Sequence, residues 1–287
     1  MMAHPGVAHR ALQVSRVLFL VLFGLPALGY ERIVVAGGAL TEIVYALGAE
    51  DRLVGVDSTS RYPPQAARLP QVGYLRNLST EGVLSLRPDL VLTTEAAGPP
   101  QVLDQLRAAG VKVIQLSEDH SPKGVLDKIA QVAAILGREA EGERLKRRVA
   151  EGFATLARRL AAIDRRPRVV FLLHLVRGSP LAAGKDTAAD RMIVQAGGVN
   201  ALTHRGYRPV STEAMIAAAP EVVVISEQMA EALGDPETVW QLPGLALTPA
   251  HLSRRLVVRD SLYLLGFGPR TPQAALELLE KLHPPKP

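Results

Sequence analysis

The sequence contains no cysteine. That excludes a disulfide scaffold, a cysteine-linked lipid anchor and a zinc–thiolate site. It leaves His, Tyr, Ser, Lys and the carboxylates for any metal or nucleophile chemistry. Catalytic signatures are missing as well: there is no G-x-S-x-G elbow, no Walker loop and no H-E-x-x-H pair. Gly266-Phe267-Gly268 lacks the third glycine of a dinucleotide loop and reads as a turn leading into a helix. Lys and Arg outnumber the acids by only 33 to 28, too small an excess to argue for nucleic acid. These absences point away from an enzyme and away from a nucleic-acid partner.

Apolar residues make up 48% of the 287 positions and charged ones 21%. This suits a substantial core in one large or two modest domains, and it excludes disorder, collagen and coiled coil. The first thirty residues read as an export signal. Arg10 and Arg16 form a positive region without acids, Val17–Leu25 is an apolar run, and Ala27 and Gly29 are small residues suited to cleavage before Tyr30. That run is shorter than the ~20 residues of a membrane span, and no other stretch approaches it. The mature chain is expected to be soluble and exported.

Strands and helices then alternate. Ile33–Ala36 is a buried-strand run broken by Gly37-Gly38, after which Leu40, Ile43, Val44 and Leu47 keep helical spacing up to Gly48. Leu53–Val56, Leu90–Leu92 and Val111–Ile114 read as strands, the first followed by a loop around Tyr62-Pro63-Pro64. Helices are predicted through Val102 and Leu106 to Gly110, and from Pro122 to Gly137. After residue 167 the pattern resumes with Val169–Leu173, a helix over Ala188–Gln195, Val222–Ile225, Leu256–Val258 and a last helix near 272–282. Such alternation argues for parallel sheets covered by helices.

Two segments match each other. Ser79-Thr80-Glu81 is followed by Pro88 and an apolar strand; Ser211-Thr212-Glu213 is followed by Pro220 and another. Ser79 and Ser211 are good N-caps, with Glu81 and Glu213 in the favourable first turn of each helix. Between the halves, residues 139 to about 163 are predicted as one helix. Leu145, Val149, Phe153, Leu156, Leu160 and Ile163 keep a 3–4 spacing, and Lys146, Arg147, Arg148, Arg158 and Arg159 form a solvated face. At ~1.5 Å per residue it extends on the order of 36 Å, enough to bridge two domains. The expected fold is α/β: two similar lobes with mainly parallel sheets covered by helices, joined by one long helix, with a ligand cleft between the lobes. The expected division is a signal over 1–29, a lobe over 30–138, the linking helix over 139–166 and a lobe over 167–287. No Gly/Ser linker is present, so hinge motion should be small. Loops after Val56, Leu92, Leu173, Ile225 and Val258 should converge on the cleft, because ligands of open parallel sheets sit beyond the strand C-termini.

The most informative stretch runs from Asp57 to Gly82 and contains Gly73-Tyr74-x-Arg76-x-Leu78-Ser79-x-Glu81-Gly82. With Ala183–Asp190, Ala196–Asn200, Gly206–Ser211 and Leu264–Thr271, it resembles the periplasmic haem-binding proteins that feed haem-uptake ABC transporters. These belong to the helix-linked class of substrate-binding proteins, which also includes vitamin B12 and siderophore binders. The resemblance covers essentially all of the mature chain. It implies a monomeric periplasmic carrier of ferric haem b, with membrane permease subunits as its partner.

The resemblance also assigns residues. Tyr74 corresponds to the axial ligand of ferric haem and would bind as phenolate. A phenol of pKa about 10 needs help to ionise, which iron and a nearby guanidinium such as Arg76 can supply. Candidate contacts for the propionates and porphyrin are Arg61, Arg76, Arg177, Lys185, Ser58, Thr59 and Tyr207, Arg being well shaped for a carboxylate. His174 is read either as a structural residue or as a second ligand from the other lobe. Where many relatives have an arginine, this chain reads Glu227-Gln228-Met229, and Met229 would pack either on the porphyrin or in the core. Glu81 and Glu213 match the glutamates that dock on arginines of the transporter. The alternatives are cobalamin or an iron–siderophore in the same fold, and an exported α/β hydrolase.

Overall fold

The computed structural model describes residues 29–284. The expected export signal, apart from its last residue, lies outside the described residues. The first lobe runs β1 (Ile33–Ala36), α1 (Gly38–Ala46), β2 (Leu53–Val56), a hairpin of β3 (Gly73–Tyr74) and β4 (Asn77–Leu78), α2 (Thr80–Ser85), β5 (Leu90–Thr94), α3 (Pro100–Ala108), β6 (Lys112–Leu116) and α4 (Pro122–Leu136). Its main sheet has the order β2-β1-β5-β6 and is parallel throughout. Then α5 (Glu139–Ala161) runs for 23 residues.

The second lobe comprises β7 (Arg168–Val176), β8 (Ser179–Ala183), α6 (Ala188–Gln195), β9 (Val199–Asn200), β10 (Tyr207–Pro209), α7 (Thr212–Ala218), β11 (Val222–Ser226), α8 (Glu227–Leu233), α9 (Pro249–Leu252), β12 (Leu256–Arg259), α10 (Ser261–Leu265) and α11 (Thr271–Leu282). Its sheet has the order β10-β8-β7-β11-β12, with β9 also on β7. Here the structure departs from the sequence reading. The strand expected to end at Leu173 continues to Val176, turns through Arg177 and Gly178 at φ 50° and 82°, and returns antiparallel as β8. Two consecutive positive-φ residues make the tight loop that matches strand twist, so the sheet is mixed.

Strand periodicity decides the packing. In the first lobe Ile33, Val35, Leu90 and Leu92 face one core, while Val34, Ala36 and Val91 face another. In the second, Val169, Phe171, Val222 and Val224 alternate with Val170, Leu172, Val223 and Ile225 in the same way. Both faces of each sheet are therefore buried, as the continuous apolar runs require. One core is common to the two lobes and runs along α5 through Leu145, Val149 and Leu156. Two glycines bring the neighbouring helices close. A Cβ on Gly142 would lie 2.4 Å from Ala133 Cβ of α4, and one on Gly152 2.8 Å from Pro272 Cγ of α11. The linking helix thus seats one helix of each lobe against its own backbone.

The internal match extends beyond the two Ser-Thr-Glu segments. Asp89, after Pro88, accepts the Glu31 N–H at 2.7 Å, and Glu221, after Pro220, accepts the Arg168 N–H at 3.2 Å. Arg32 donates from Nε to the Arg87 carbonyl behind α2 at 3.0 Å; Arg168 donates from Nε to the Ala218 carbonyl at the end of α7 at 2.9 Å. Each lobe fastens its helix-to-strand connection to the start of its first strand by the same pair of groups.

Candidate functional site

Beyond the C-terminal ends of β1 and β2, the chain forms a loop organised by Asp57, which has no exposed surface. Its carboxylate accepts hydrogen bonds from the Gly37 N–H at 2.9 Å, the Thr59 N–H at 3.1 Å, the Thr59 and Ser60 hydroxyls at 2.7 and 2.8 Å, and the Leu75 N–H at 3.2 Å. Next to this loop β3 and β4 pair antiparallel, Tyr74 opposite Asn77, with Leu75 and Arg76 as the two turn residues. The hairpin is fixed on its other side as well, where Gly98 donates to the Leu75 carbonyl and Leu78 to the Gly98 carbonyl. Arg76 is exposed, and Tyr74 is 49% exposed on a well-tethered support.

The facing surface belongs to the second lobe. Tyr207 on β10 pairs with Ala183 on β8, half-buried near the start of α6. Burial pushes its phenol up; the Ala189 N–H, the Thr187 side chain and the charge of Arg76 act the other way, and Tyr74 acts with burial. Tyr74 and Arg76 of one lobe therefore lie within electrostatic reach of Tyr207 of the other. Lys185, on the same wall, holds its ammonium 3.5 Å from Asp190, which also accepts from Asn200 at 3.0 Å. His174 is exposed on β7 opposite Leu181, and Arg177 is exposed in the turn that follows.

Other expected contacts sit differently. The Ser58 side chain is exposed while its N–H donates to the Gly73 carbonyl at 2.8 Å. The Thr59 hydroxyl donates to Asp57 and accepts from the Gly38 N–H at 3.0 Å, so its capacity is largely used within the protein. Arg61 lines a separate hollow of about 480 Å³ with Tyr62, Arg259, Tyr263 and Arg270, and a second hollow of about 530 Å³ lies among Glu118, His120, Asp186 and Arg191. Tyr74 lines neither. Met229 requires a correction: it has no exposed surface and packs in the second lobe's core with Met215 and Trp240. A side chain without accessible surface cannot touch a ligand in the cleft.

Glu81 and Glu213 are both exposed in the first turns of α2 and α7. Ser79 Oγ accepts the Gly82 N–H at 3.0 Å and Ser211 Oγ the Ala214 N–H at 3.2 Å, so both helices are capped alike. Hydrogen bonding to its own N–H and to Ser211 holds the Glu213 carboxyl below the usual range.

The site's chemistry is that of one hard oxygen donor with cations nearby. Among the described residues no group of three or more His, Asp or Glu side chains could hold a metal ion, and no helix is long and apolar enough to cross a membrane. The histidine rings that form hydrogen bonds among the described residues, His204 and His283, meet backbone carbonyls rather than a serine or a carboxylate. Sequence reasoning passed over Asp57 and the contacts of Arg270 with Glu42, Tyr62 and Tyr263. Asp57 was discoverable as the first polar residue after β2; the contact of Arg270 with Glu42 joins residues 228 apart and leaves no local signal.

Fold and site together define a two-lobed, helix-linked binding protein. Residues 33–262 match the periplasmic binding protein family, and the chain belongs to it. Among solved structures it is similar to the periplasmic haem-binding protein RhuT from Roseiflexus sp. RS-1, at 43% identity over 88% of this chain and 98% of that one, with a TM-score of 0.84. It is similar also to the periplasmic haem-binding protein BhuT in complex with two haems, at 44% identity over 88% and 97%, with a TM-score of 0.83. The vitamin B12-binding protein of Yersinia pestis (strain Pestoides F) is 27% identical over 94% of this chain and 92% of its own length.

Proposed function

We propose that this protein is the periplasmic substrate-binding component of a haem importer. It captures ferric haem b through the Tyr74 phenolate and delivers it to the permease of an ABC transporter. The observation that carries this reading is an exposed Tyr74, followed by Arg76 in the turn, on a hairpin tethered to Asp57, Ser58 and Gly98. A single phenol would not retain a bare metal ion, but it suffices for iron already held by four porphyrin nitrogens. We assign Arg76, Arg177 and Lys185 as partners for the propionates, with exposed His174 as the candidate for a second contact. Identities of 43–44% with haem binders, against 27% with a vitamin B12 binder, support haem over cobalamin.

In this reading the chain is a monomeric carrier, released by cleavage near Gly29, whose lobes over 30–138 and 167–287 are joined by 139–166. Glu81 and Glu213 dock on the permease, one from each lobe. Bound haem supplies an iron with an open axial position; the protein supplies the oxygen ligand and the surrounding charge. Titrating the purified protein with hemin and, separately, with cyanocobalamin tests the cargo. Hemin should give a saturable change in the visible spectrum and cobalamin none. Saturable binding of cobalamin without a hemin response would replace haem as the ligand.

A further inference from the structure

The two peptide units flanking the Cα of Tyr74 are held by one dipeptide. Before it, the Gly73 carbonyl accepts from the Ser58 N–H at 2.8 Å; after it, the Leu75 N–H donates to Asp57 Oδ2 at 3.2 Å. A carboxylate that only capped its own turn would stop at Thr59 and Ser60. Asp57 reaches further, to Gly37 at the start of α1 and to Leu75 in the hairpin, 20 and 18 residues away. Every group around it donates, so it serves as an acceptor alone and joins three segments at one buried point. Charge-assisted bonds of this kind are the strong ones.

We propose that Asp57 is a positioning residue for the iron ligand: it sets the direction of the Tyr74 phenol by fixing the peptide that follows it, while Ser58 fixes the one before. This rests on the haem reading above. Leu75 and Leu78 pack the hairpin on the first lobe's second core while Tyr74 is exposed, so the aim of its ring depends on these backbone tethers. Groups that orient a metal ligand from behind typically change metal affinity about 10–100-fold when altered.

Asp57→Asn is the direct test. An amide loses the charge and must turn its NH2 toward existing donors, opposing N–H to N–H at Leu75 and Thr59 if it replaces Oδ2, or at Gly37 if it replaces Oδ1, where the Ser60 hydroxyl can turn to accept. Hemin titrations compare it with the wild type and with Ser60→Ala, which removes a bond to the same carboxylate but none to the hairpin. Wild type and Ser60→Ala should share one phenolate-to-iron charge-transfer band and one affinity. Asp57→Asn should shift that band and bind hemin about 10–100-fold more weakly. An unchanged band and affinity in Asp57→Asn, or equal losses in both variants, would overturn the proposal.

Leu75→Pro attacks the same bond from its donor side: it removes the N–H and places a ring carbon against Asp57 Oδ2, so that oxygen must withdraw from the hairpin. Leu75 is the first central residue of its turn, where proline is well tolerated. It should reproduce the band shift even if Asp57→Asn does not fold, and an unshifted band there also overturns the proposal. Amide exchange at Leu75 is a readout without hemin: slow in the wild type if the tether holds, and fast if the proposal is wrong. Should the wild type itself not bind hemin, the haem reading fails and this role with it. That outcome appears in the wild type and is distinct from a failure confined to the variants.

Discussion

Arg270 donates from Nε to Glu42 at 3.0 Å and from its backbone N–H to the same carboxylate at 3.1 Å, joining the second lobe to the first helix of the first. Its guanidinium is stacked 3.5 Å from the Tyr62 ring centroid and 4.9 Å from that of Tyr263. The Glu42 side chain is 7% exposed. Burial raises its carboxyl, and the charge and hydrogen bonds of Arg270 pull it back.

Removing Arg270 should therefore leave a buried anion without its partner. Arg270→Met is expected to cost about 3–5 kcal/mol, and the double variant Glu42→Leu with Arg270→Met should recover most of that loss. A carboxyl whose folded pKa is raised stabilises fully below the unfolded pKa and loses that contribution as pH rises through the folded value. The deficit of Arg270→Met should accordingly shrink on acidification. Urea unfolding at several pH values checks both statements.

His120 lies at the other seam between the lobes, its ring edge-on to Phe267 at 4.8 Å. Burial lowers its pKa from the ordinary 6.5; Glu118 and Asp119 oppose this, and Lys128 and Arg191 reinforce it. The folded state thus binds this proton more weakly than the unfolded chain does. Its contribution to stability is present above about pH 6.5 and is lost as pH falls toward the folded pKa. The unfolding midpoint of the wild type should drop over that window, and His120→Gln should show a flatter profile. Parallel profiles would contradict the assignment.

Reversing the two rim charges should separate delivery from capture. Glu81→Arg combined with Glu213→Arg is expected to leave the hemin spectrum intact, because both side chains are exposed in the first turns of α2 and α7 and neither hydrogen-bonds to the Tyr74 hairpin. Haem uptake into vesicles that contain the cognate permease should fall by more than about tenfold, since each change replaces an attractive contact by a repulsive one. Single reversals should give intermediate uptake. Normal uptake by the double variant would end the docking role.

Much of this architecture was legible in the chain, and the remainder was hidden for identifiable reasons. The strands of both main sheets announce themselves because parallel strands buried on two faces are runs such as Ile33–Ala36 and Val222–Ser226. The linking helix follows from the spacing of Leu145, Val149 and Leu156. The Ser79 and Ser211 caps follow from hydroxyls placed before acids. By contrast, β8 reads Ser179-Pro180-Leu181-Ala182-Ala183, small residues with an internal proline, which carry little strand signal alone. Only the Arg177-Gly178 turn could have indicated the hairpin. The Tyr74 hairpin has two residues per strand and is made by tethers to Asp57, Ser58 and Gly98, so no periodicity could reveal it. The role proposed for Tyr74 rests on the Gly-Tyr-x-Arg resemblance, not on periodicity. Met229 was misplaced as a candidate contact because a core methionine and a porphyrin-facing one look alike in sequence.

The most direct test is a hemin titration of Tyr74→Phe, followed in the visible region beside the wild type. This substitution removes one oxygen and keeps the ring. If that oxygen ligates the iron, the phenolate charge-transfer band should vanish. Affinity should fall by more than the roughly 100-fold that marks the upper end for outer-shell changes. A variant that keeps the wild-type band and affinity would contradict the account at its centre.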